Sequence, residues 1–310
     1  MLRHAPPWRQ RTVMSWWHTP DVTGWTPAQQ EPRGLRAKLW VEDDGGQLWL
    51  RKERRESRPY EPAIEALTLE LARRCQFEVA QGRACTWTTP EGAATRGFVS
   101  KKFHDLEEPQ TTGGELVGPF IDAPYASSSE RDNARARITL DVVQQVLDTQ
   151  ARGRDLRTPF LRMLIFDAWI GNGDRHSGNW AILSRDAACR LAPMYDTAGC
   201  LGAELTDRSV EQRLSLPGAT DRYVNRCKSG FGDGVSKPGI NQQDLIAQMR
   251  TWPEWIDVAP PLIEYIFENF AMVSDSLASI PDDWLSPPRR RLVEVLLEAR
   301  VKMLQGLLSS

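Results

Sequence analysis

Three polar residues stand in an order that suits phosphoryl transfer: Asp174, then Asn179 five residues later, then Asp196 a further seventeen residues along. The first two lie in the run GNGDRHSGNW, which begins at Gly171. A carboxylate in the first position can accept or orient the proton of an attacking hydroxyl. An amide oxygen and a second carboxylate can hold Mg²⁺ against nucleotide phosphates. These residue types in this order predict an ATP-dependent kinase, with Asp174 as the catalytic base and Asn179 and Asp196 as metal ligands.

A lysine and a glutamate nearer the N-terminus extend the predicted site. Lys52 falls near the end of the second strand of a predicted hairpin, where a kinase keeps the lysine that contacts the α- and β-phosphates. Glu65 lies on the predicted helix that follows, and we expect it to pair with this lysine and orient it. Lys38 also lies on a strand, and Glu61 and Glu70 share the helix, so these three residues stay open as alternatives.

A kinase also needs a loop whose backbone N–H groups cover the phosphates, and we predict it at Glu31–Lys38. Gly34 is its single glycine, so the segment is not a G-x-G-x-x-G loop, and no Walker A sequence is present. A P-loop mechanism is therefore disfavoured. The nucleotide-binding set that we predict consists of Gly34, Lys38, Lys52 and His176.

The residues around the predicted base suggest a supporting network. His176 lies two residues from Asp174, but no serine or cysteine elbow accompanies it, so a hydrolase triad is not supported. We expect His176 to hold the loop by hydrogen bonding. Arg175 is expected to neutralise nearby carboxylates or phosphate charge, and Asp167 and Asn172 to add hydrogen bonds behind the loop.

The elements that must position these residues begin with a small mixed region. Two alternating segments on either side of an Asp-Gly turn predict a hairpin over 35–52. A helix is predicted over 61–74, since a proline stands just inside its start and apolar residues recur at helical spacing. Two short strands are expected around 85–88 and 96–100.

Helices dominate the rest of the chain, apart from a hairpin predicted over 180–192. The helices are expected at 140–149, 159–170, 241–251, 260–275 and 287–307. The fold class we predict is α+β, a two-lobed protein-kinase-like fold with a small mixed α/β N-lobe and a mainly helical C-lobe. The expected divisions are an N-terminal arm or cap at 1–30, the N-lobe at 31–103, a hinge and connection at 104–135, and the C-lobe with the catalytic loop at 136–310.

The overall composition and charge disfavour several classes of function. Hydrophobic residues make up 41% and charged residues 26%, which is ordinary for a globular protein. The net charge of −2 and the lack of a long basic run give no support for nucleic-acid binding. No stretch approaches the roughly 20 apolar residues of a membrane span. The five cysteines are scattered without a C-x-x-C pair, so neither a zinc site nor a disulfide framework is expected, and a cytoplasmic location fits.

The motifs resemble those of a known family. Phe166–Leu183 resembles the catalytic loop of HipA-like kinases, and Leu191–Ala198 is similar to that family's metal-binding segment. Looser similarity is found in Gly34–Lys38 to the end of the phosphate loop, in Glu65–Arg74 to the orienting helix, and in Phe98–Phe103 to the strand before the hinge. Together the similarity covers roughly residues 30 to 300.

By this resemblance, Asp174 is the catalytic base, Asn179 and Asp196 bind Mg²⁺, and Lys52 contacts the phosphates of ATP. The family consists of bacterial Ser/Thr protein kinases, many of them toxins paired with a small helix-turn-helix antitoxin. Some phosphorylate an aminoacyl-tRNA synthetase. The resemblance therefore implies ATP and Mg²⁺ as cofactors, a protein substrate such as a translation factor or synthetase, and an antitoxin partner.

One regulatory feature of the family has no counterpart in this sequence. Several members autophosphorylate a serine in the phosphate loop, but residues 31–38 contain no Ser or Thr, and the nearest upstream candidates are Thr26 and Thr23. We also expect the extra N-terminal subdomain of longer members to be absent or to be a separate polypeptide.

Two other functions stay open. The pattern Gly173-Asp174-Arg175-His176-x-x-Asn179 is also the catalytic-loop wording of phosphoinositide kinases, so a lipid or small-molecule kinase is the first alternative. Against it, the expected activation segment at 197–235 has no strong basic patch. The second alternative is a non-catalytic kinase-fold binding module. It is disfavoured because all three core polar residues are present.

Overall fold

The computed structural model describes residues 16–30, 38–105, 107–121, 134–186 and 188–308. The N-lobe consists of one sheet and one helix. Its elements are β1 (Thr26–Gln30), β2 (Lys38–Glu42), β3 (Leu48–Glu53), α1 (Glu61–Arg74), β4 (Gly82–Thr88) and β5 (Ala94–Lys101). All strand pairs are antiparallel, in the order β1-β2-β3-β5-β4.

The C-lobe is mainly helical and contains a second, three-stranded sheet. Its elements are β6 (Gln110–Thr112), α2 (Gly113–Ile121), α3 (Leu140–Gln150), α4 (Arg157–Ile170), β7 (Ala181–Arg185), β8 (Ala188–Leu191), α5 (Asp207–Ser215), α6 (Ala219–Asn225), α7 (Gln242–Met249), α8 (Trp255–Glu268), α9 (Ala271–Ala278) and α10 (Pro287–Leu308). None of the helices in the described ranges combines the length and apolarity that crossing a bilayer requires.

The β2–β3 hairpin forms where the Asp-Gly signal predicts it. The Asp43 carboxylate accepts backbone N–H bonds from Gly45 and Gln47, and Gly46 adopts a positive φ of 76° that a larger residue would resist. The register pairs Lys38 with Lys52. Directly paired residues project from the same face of a sheet, so both lysines share one face.

Both faces of the N-lobe sheet are covered. Phe98, which pairs with Lys52, lies in the main core together with α1. The opposite face carries a separate cluster of buried side chains, to which the segment before β1 adds Val22 and Trp25. The buried members from the sheet are Val41, Trp49, Cys85, Trp87 and Val99. Because both faces are packed, β3 and the lysine on it are held firmly.

Helix α4 determines where the predicted catalytic loop begins. Its residues from Phe160 to Ile170 are buried except Arg162, as expected for a central helix. The helix ends at Gly171, which adopts a left-handed φ of 68°. A Cβ atom there would lie 2.6 Å from the Arg300 guanidinium, so glycine is required for both reasons.

The prediction of one helix over 260–275 was wrong. The chain forms two helices, α8 and α9, with Asn269 between them at φ −102° and ψ 21°. Helix α8 begins at Trp255, so Pro260 and Pro261 lie inside it. Pro removes a helical N–H, and the preceding turn of the helix is buried through Trp255 and Val258.

The segments at 1–30 and 104–135 contain more regular structure than their composition indicates. Thr26–Gln30 pairs with β2, and Trp16 and Trp17 pack against the main core. In the second segment, Gln110–Thr112 pairs with β7 and Gly113–Ile121 is helical. Trp16, which donates to the Ser276 carbonyl, and β6, which pairs with β7, have partners far along the chain, and the local sequence pattern does not reveal such partners.

Candidate functional site

A buried arginine organises the loop that carries Asp174. The Arg175 guanidinium donates from Nε and Nη2 to the two carboxylate oxygens of Asp167, at 2.7 and 3.0 Å. Its Nη1 donates to the carbonyls of Asn179 and Tyr195, at 2.5 and 3.0 Å. Burial alone would lower the pKa of Arg175, but the Asp167 carboxylate, together with Tyr195 and Asp196, outweighs this, so its pKa is raised. One cation therefore ties together the last turn of α4, the catalytic loop and the segment before Asp196.

Asp174 is the exposed member of this loop. Its backbone N–H donates to Asn172 Oδ1 at 3.0 Å, and Asn172 Nδ2 donates to the Asp167 carboxylate at 2.9 Å. The Asp174 side chain itself is 60% exposed. A Cβ on Gly199 would lie 2.8 Å from the Asp174 Cβ, so that glycine lets the two segments approach. The backbone of Asp174 is thus held from behind while its carboxylate stays accessible to a substrate.

Asn179 ends a short 3-10 turn, Ser177–Asn179, directly after Asp174. Its side-chain Nδ2 donates to the Asp174 carbonyl at 2.8 Å. Within the described ranges its Oδ1 accepts no hydrogen bond. The bond to Asp174 orients the amide so that this oxygen can coordinate a cation.

The N-lobe lysine and the C-lobe carboxylate meet across the cleft. Lys52 Nζ donates to Glu65 Oε1 at 2.7 Å and to Asp196 Oδ1 at 2.9 Å. Lys52 and Glu65 are buried, whereas the Asp196 side chain is 25% exposed. Thr68 Oγ1 on α1 lies 2.6 Å from Thr197 Oγ1, which adds a second contact between α1 and the Asp196 segment.

His176 supports the loop as an uncharged side chain. Its Nδ1 accepts a hydrogen bond from the Gly178 N–H at 3.0 Å, and its Nε2 lies 3.8 Å from Asp174 Oδ1. Burial lowers the pKa of His176, and the attraction of Asp174 offsets only part of this. A neutral imidazole can accept the Gly178 bond, whereas a protonated one cannot.

The structure distinguishes among the predicted lysine and glutamate alternatives. Glu65 is the helix carboxylate that bonds Lys52. Glu61 pairs with Arg55 and Arg58, and Glu70 pairs with arginines in the last turn of its own helix. Lys38 lies beside Lys52 in the register, is half-buried, and makes no ion pair within the part of the chain that the structure describes.

Gly34 and most of the predicted phosphate-covering loop lie outside the described residues. Of the predicted nucleotide-binding set, the structure describes Lys38, Lys52 and His176. It places Lys38 beside Lys52 in the sheet, while the contacts of His176 are to Gly178 and Asp174.

The donor set fits a nucleotide-bound magnesium ion. Among the described residues no group of three or more His, Cys, Asp or Glu could hold a metal alone. Mg²⁺ in nucleotide sites is usually bound by one or two carboxylates plus substrate phosphates and water. Asp196 and the Asn179 amide oxygen are donors of the kind that this smaller set requires.

Two residues that support the loop, Arg300 and Gln242, could not be predicted from the sequence. Arg300 on α10 donates from Nη1 to Gln242 Oε1 at 2.6 Å and to the Ala168 carbonyl at 3.2 Å. Gln242 Nε2 donates in turn to the Asn172 carbonyl at 3.3 Å. These residues are far apart in the chain, so no local motif links them to the catalytic loop. They brace its start from the far side.

Comparison with known proteins gives matches over much of the chain. A family model described as the HipA-like C-terminal domain matches residues 31–251. Serine/threonine-protein kinase CtkA of Helicobacter pylori is 32% identical over 96 residues, which is 30% of this chain and 29% of that protein. The aligned segment thus spans less than a third of this relative's length.

Two solved structures share the architecture. The crystal structure of a Helicobacter pylori proinflammatory kinase CtkA gives a TM-score of 0.72 at 18% identity and covers 93% of this chain and 98% of that one. Toxin–antitoxin system protein HipA from Shewanella oneidensis, in complex with HipB and operator DNA, gives 0.58 at 13% identity, covering 91% and 67%. These likenesses confirm the predicted two-lobed, kinase-like α+β fold.

Proposed function

The chain belongs to the HipA-like C-terminal domain family, and from this premise we propose that it is an ATP- and Mg²⁺-dependent Ser/Thr protein kinase. One observation carries the proposal: Lys52 Nζ bonds both Glu65 and Asp196. A cation for the phosphates, the carboxylate that orients it and a metal-binding carboxylate meet at one point of the cleft.

In this proposal Lys52 binds the phosphates of ATP and neutralises part of their charge. Its bond to Glu65 fixes the ammonium, so little reorganisation accompanies binding. Asp196 and Asn179 would hold Mg²⁺, which when bound supplies charge neutralisation between the phosphates. His176 keeps the intervening turn closed through the Gly178 N–H.

Asp174 acts on the acceptor. Its exposed carboxylate accepts a hydrogen bond from the attacking hydroxyl and orients its oxygen toward the γ-phosphorus. The network of Arg175 and Asn172 holds the Asp174 backbone while this happens. Positioning of this kind, together with charge stabilisation, provides most of the rate in phosphoryl transfer.

The acceptor and the partner also belong to the proposal. A protein Ser or Thr hydroxyl is the acceptor class that the name of the CtkA relative supports. The HipA structure contains HipB and operator DNA. By that likeness we propose an antitoxin-type protein partner for this chain and a toxin role in the cytoplasm.

Mass spectrometry of intact protein and peptides after incubation with Mg·ATP tests the activity. Wild type should gain phosphate on Ser or Thr, and Asp174→Asn should gain roughly 10²- to 10⁴-fold less in the same time. The variant should keep the wild-type melting temperature, because the Asp174 side chain is exposed. Phosphate gain by Asp174→Asn at the wild-type rate would disprove its role.

If wild type gains no phosphate, nucleotide binding separates the remaining functions. A rise in melting temperature with Mg·ATP, without transfer, would indicate an external protein, lipid or small-molecule acceptor. No rise with Mg·ATP would disprove the kinase proposal and favour a non-catalytic binding module.

A further inference from the structure

A second ion pair lies one helical turn from the first, between the same two elements. Arg55 follows β3, and its guanidinium donates from Nε to Glu61 Oε2 at 3.0 Å and from Nη2 to Glu61 Oε1. Glu61 is buried in the first turn of α1, four residues before Glu65. The Lys52–Glu65 and Arg55–Glu61 pairs therefore form two successive contacts along the cleft side of α1.

The outer edge of the Arg55 guanidinium is available to a ligand. Glu61 occupies the edge formed by Nε and Nη2, while Nη1 makes no hydrogen bond within the described residues. The Arg55 side chain is 32% exposed, so this nitrogen reaches solvent. An arginine anchored on one edge can present its remaining N–H groups in a fixed direction to a phosphoryl oxygen.

Arg55 is related both by geometry and by charge to the carboxylates of the proposed site. Its hydrogen bond to Glu61 is the main cause of its raised pKa, and the carboxylates of Asp174 and Asp196 raise it further. Glu61 lies one helical turn before Glu65, whose partner Lys52 bonds the proposed metal ligand Asp196, so Arg55 lies on the same side of α1 as that pair. In the proposed mechanism, the group being transferred must lie between the carboxylates of Asp174 and Asp196.

We infer that Arg55 binds the γ-phosphoryl oxygens of ATP, as a second cation beyond Lys52. The inference rests on the proposed kinase function and deepens it. Lys52 would contact the inner phosphates, and Arg55 would contact the one group that distinguishes ATP from ADP. Glu61 positions Arg55 as Glu65 positions Lys52.

Nucleotide affinity tests this without relying on turnover. We would titrate wild type and Arg55→Met with Mg·AMP-PNP and with Mg·ADP by calorimetry. Arg55→Met should lose roughly 10- to 100-fold in affinity for AMP-PNP, the range for hydrogen bonds to charged groups, and keep its affinity for ADP. Arg55→Lys should recover part of the lost AMP-PNP affinity, because it keeps the charge but not the planar fork.

Arg58 offers a matched control from the same turn. Its Nη1 lies 3.5 Å from the same Glu61 oxygen, and its side chain is 40% exposed. Arg58→Met should leave both affinities unchanged. Because Arg55→Met leaves Glu61 with less compensation for its buried charge, Arg55→Met/Glu61→Gln serves as a second variant and should show the same loss for AMP-PNP only.

Three other outcomes of the titrations would each overturn the inference. Equal loss for both nucleotides would show that Arg55 acts through the position of α1, which overturns the inference. Unchanged affinity for both nucleotides would overturn it as well, and the kinase proposal would stand. If wild type bound neither nucleotide, the kinase proposal itself would fail, and the inference with it.

Discussion

The two buried charge networks beside the cleft differ in how they are satisfied. In the C-lobe, Arg175 makes four hydrogen bonds, two to Asp167 and two to backbone carbonyls, all at fixed protein groups. Across the cleft, Lys52 bonds Glu65 and the partly exposed Asp196. The first network is closed to solvent, and the second opens into the site.

This difference indicates that the Arg175 network has a structural role and that Lys52 has a role in ligand binding. A closed network in a low-dielectric interior stabilises one conformation and costs much to break. An ammonium that shares its bonds with a carboxylate at the solvent edge can exchange that contact for phosphate oxygens. We therefore expect loss of Arg175 to act mainly on stability and loss of Lys52 mainly on nucleotide binding.

The largest expected effect is the loss of stability on removing Arg175. Arg175→Met should lower the free energy of unfolding by about 3–5 kcal/mol, because Asp167 then keeps a buried charge without its cation. Urea denaturation followed by circular dichroism measures this loss. The exposed Arg208 provides the control, since Arg208→Met should change stability by less than about 0.5 kcal/mol. If Arg175→Met and Arg208→Met were equally stable, the Arg175 network would not have the structural role inferred for it.

Lys52→Met removes the cation beside the buried Glu65 carboxylate as well as beside Asp196. It should still have the smaller stability effect, about 2–4 kcal/mol, because the Asp196 carboxylate can regain water. Its affinity for Mg·ATP should fall by roughly 10-fold or more, since the hydrogen bonds to charged phosphates are lost. Denaturation and calorimetric titration give the two numbers. Lys38→Met, on the neighbouring strand, is the control for removal of a lysine from the same face. A stability loss as large as that of Arg175→Met would contradict the comparison.

The contact between α1 and the Asp196 segment provides a further test, of how the two lobes are held together. Thr68→Val removes the 2.6 Å hydrogen bond to Thr197 with little change of shape, and should cost about 1 kcal/mol in unfolding free energy. Thr68 also bonds the Ile64 carbonyl within its helix, so Thr149→Val is the control. Among the described residues, the Thr149 hydroxyl makes only such a helical bond, to the Gln145 carbonyl. If a double-mutant cycle with Thr197→Val gave no coupling energy, the contact would not link the lobes.

The smallest expected effect is on pH dependence. In the folded protein the pKa of His176 is lowered below its ordinary value of about 6.5, so the unfolded chain binds more protons between the two values. The stability contributed by neutral His176 is therefore present above about pH 6.5 and is lost as pH falls toward the folded pKa. The slope is at most about 1.4 kcal/mol per pH unit.

Melting temperatures of wild type and His176→Asn between about pH 7.5 and 5.5 measure this effect. The difference between the two proteins should shrink on acidification, because Asn does not titrate and can still accept the Gly178 N–H bond. A constant difference would show that His176 does not titrate in this range.

How far the sequence predicted the site depends on the distance between partners. The bonds of Arg175 and Asn172 to Asp167 and the bond of His176 to Gly178 lie within one loop and the preceding turn, and the sequence predicted a supporting network there. The bond from Arg175 to the Tyr195 carbonyl, twenty residues away, was not predicted. The Lys52–Glu65 pair was also predicted, because thirteen residues separate a strand from the helix that packs on it. The brace formed by Gln242 and Arg300 was missed, since its parts come from separate helices.

The sequence by itself determined the order of Asp174, Asn179 and Asp196, the turn chemistry of the β2–β3 hairpin and the helical character of α1 and α4. Backbone geometry and short spacing are enough to fix such features. Only the tertiary structure decided that Lys52 meets Asp196, 144 residues away, and that Thr68 meets Thr197. These contacts depend on sheet register and on the packing of one lobe against the other, which arise from many weak contacts distributed along the whole chain.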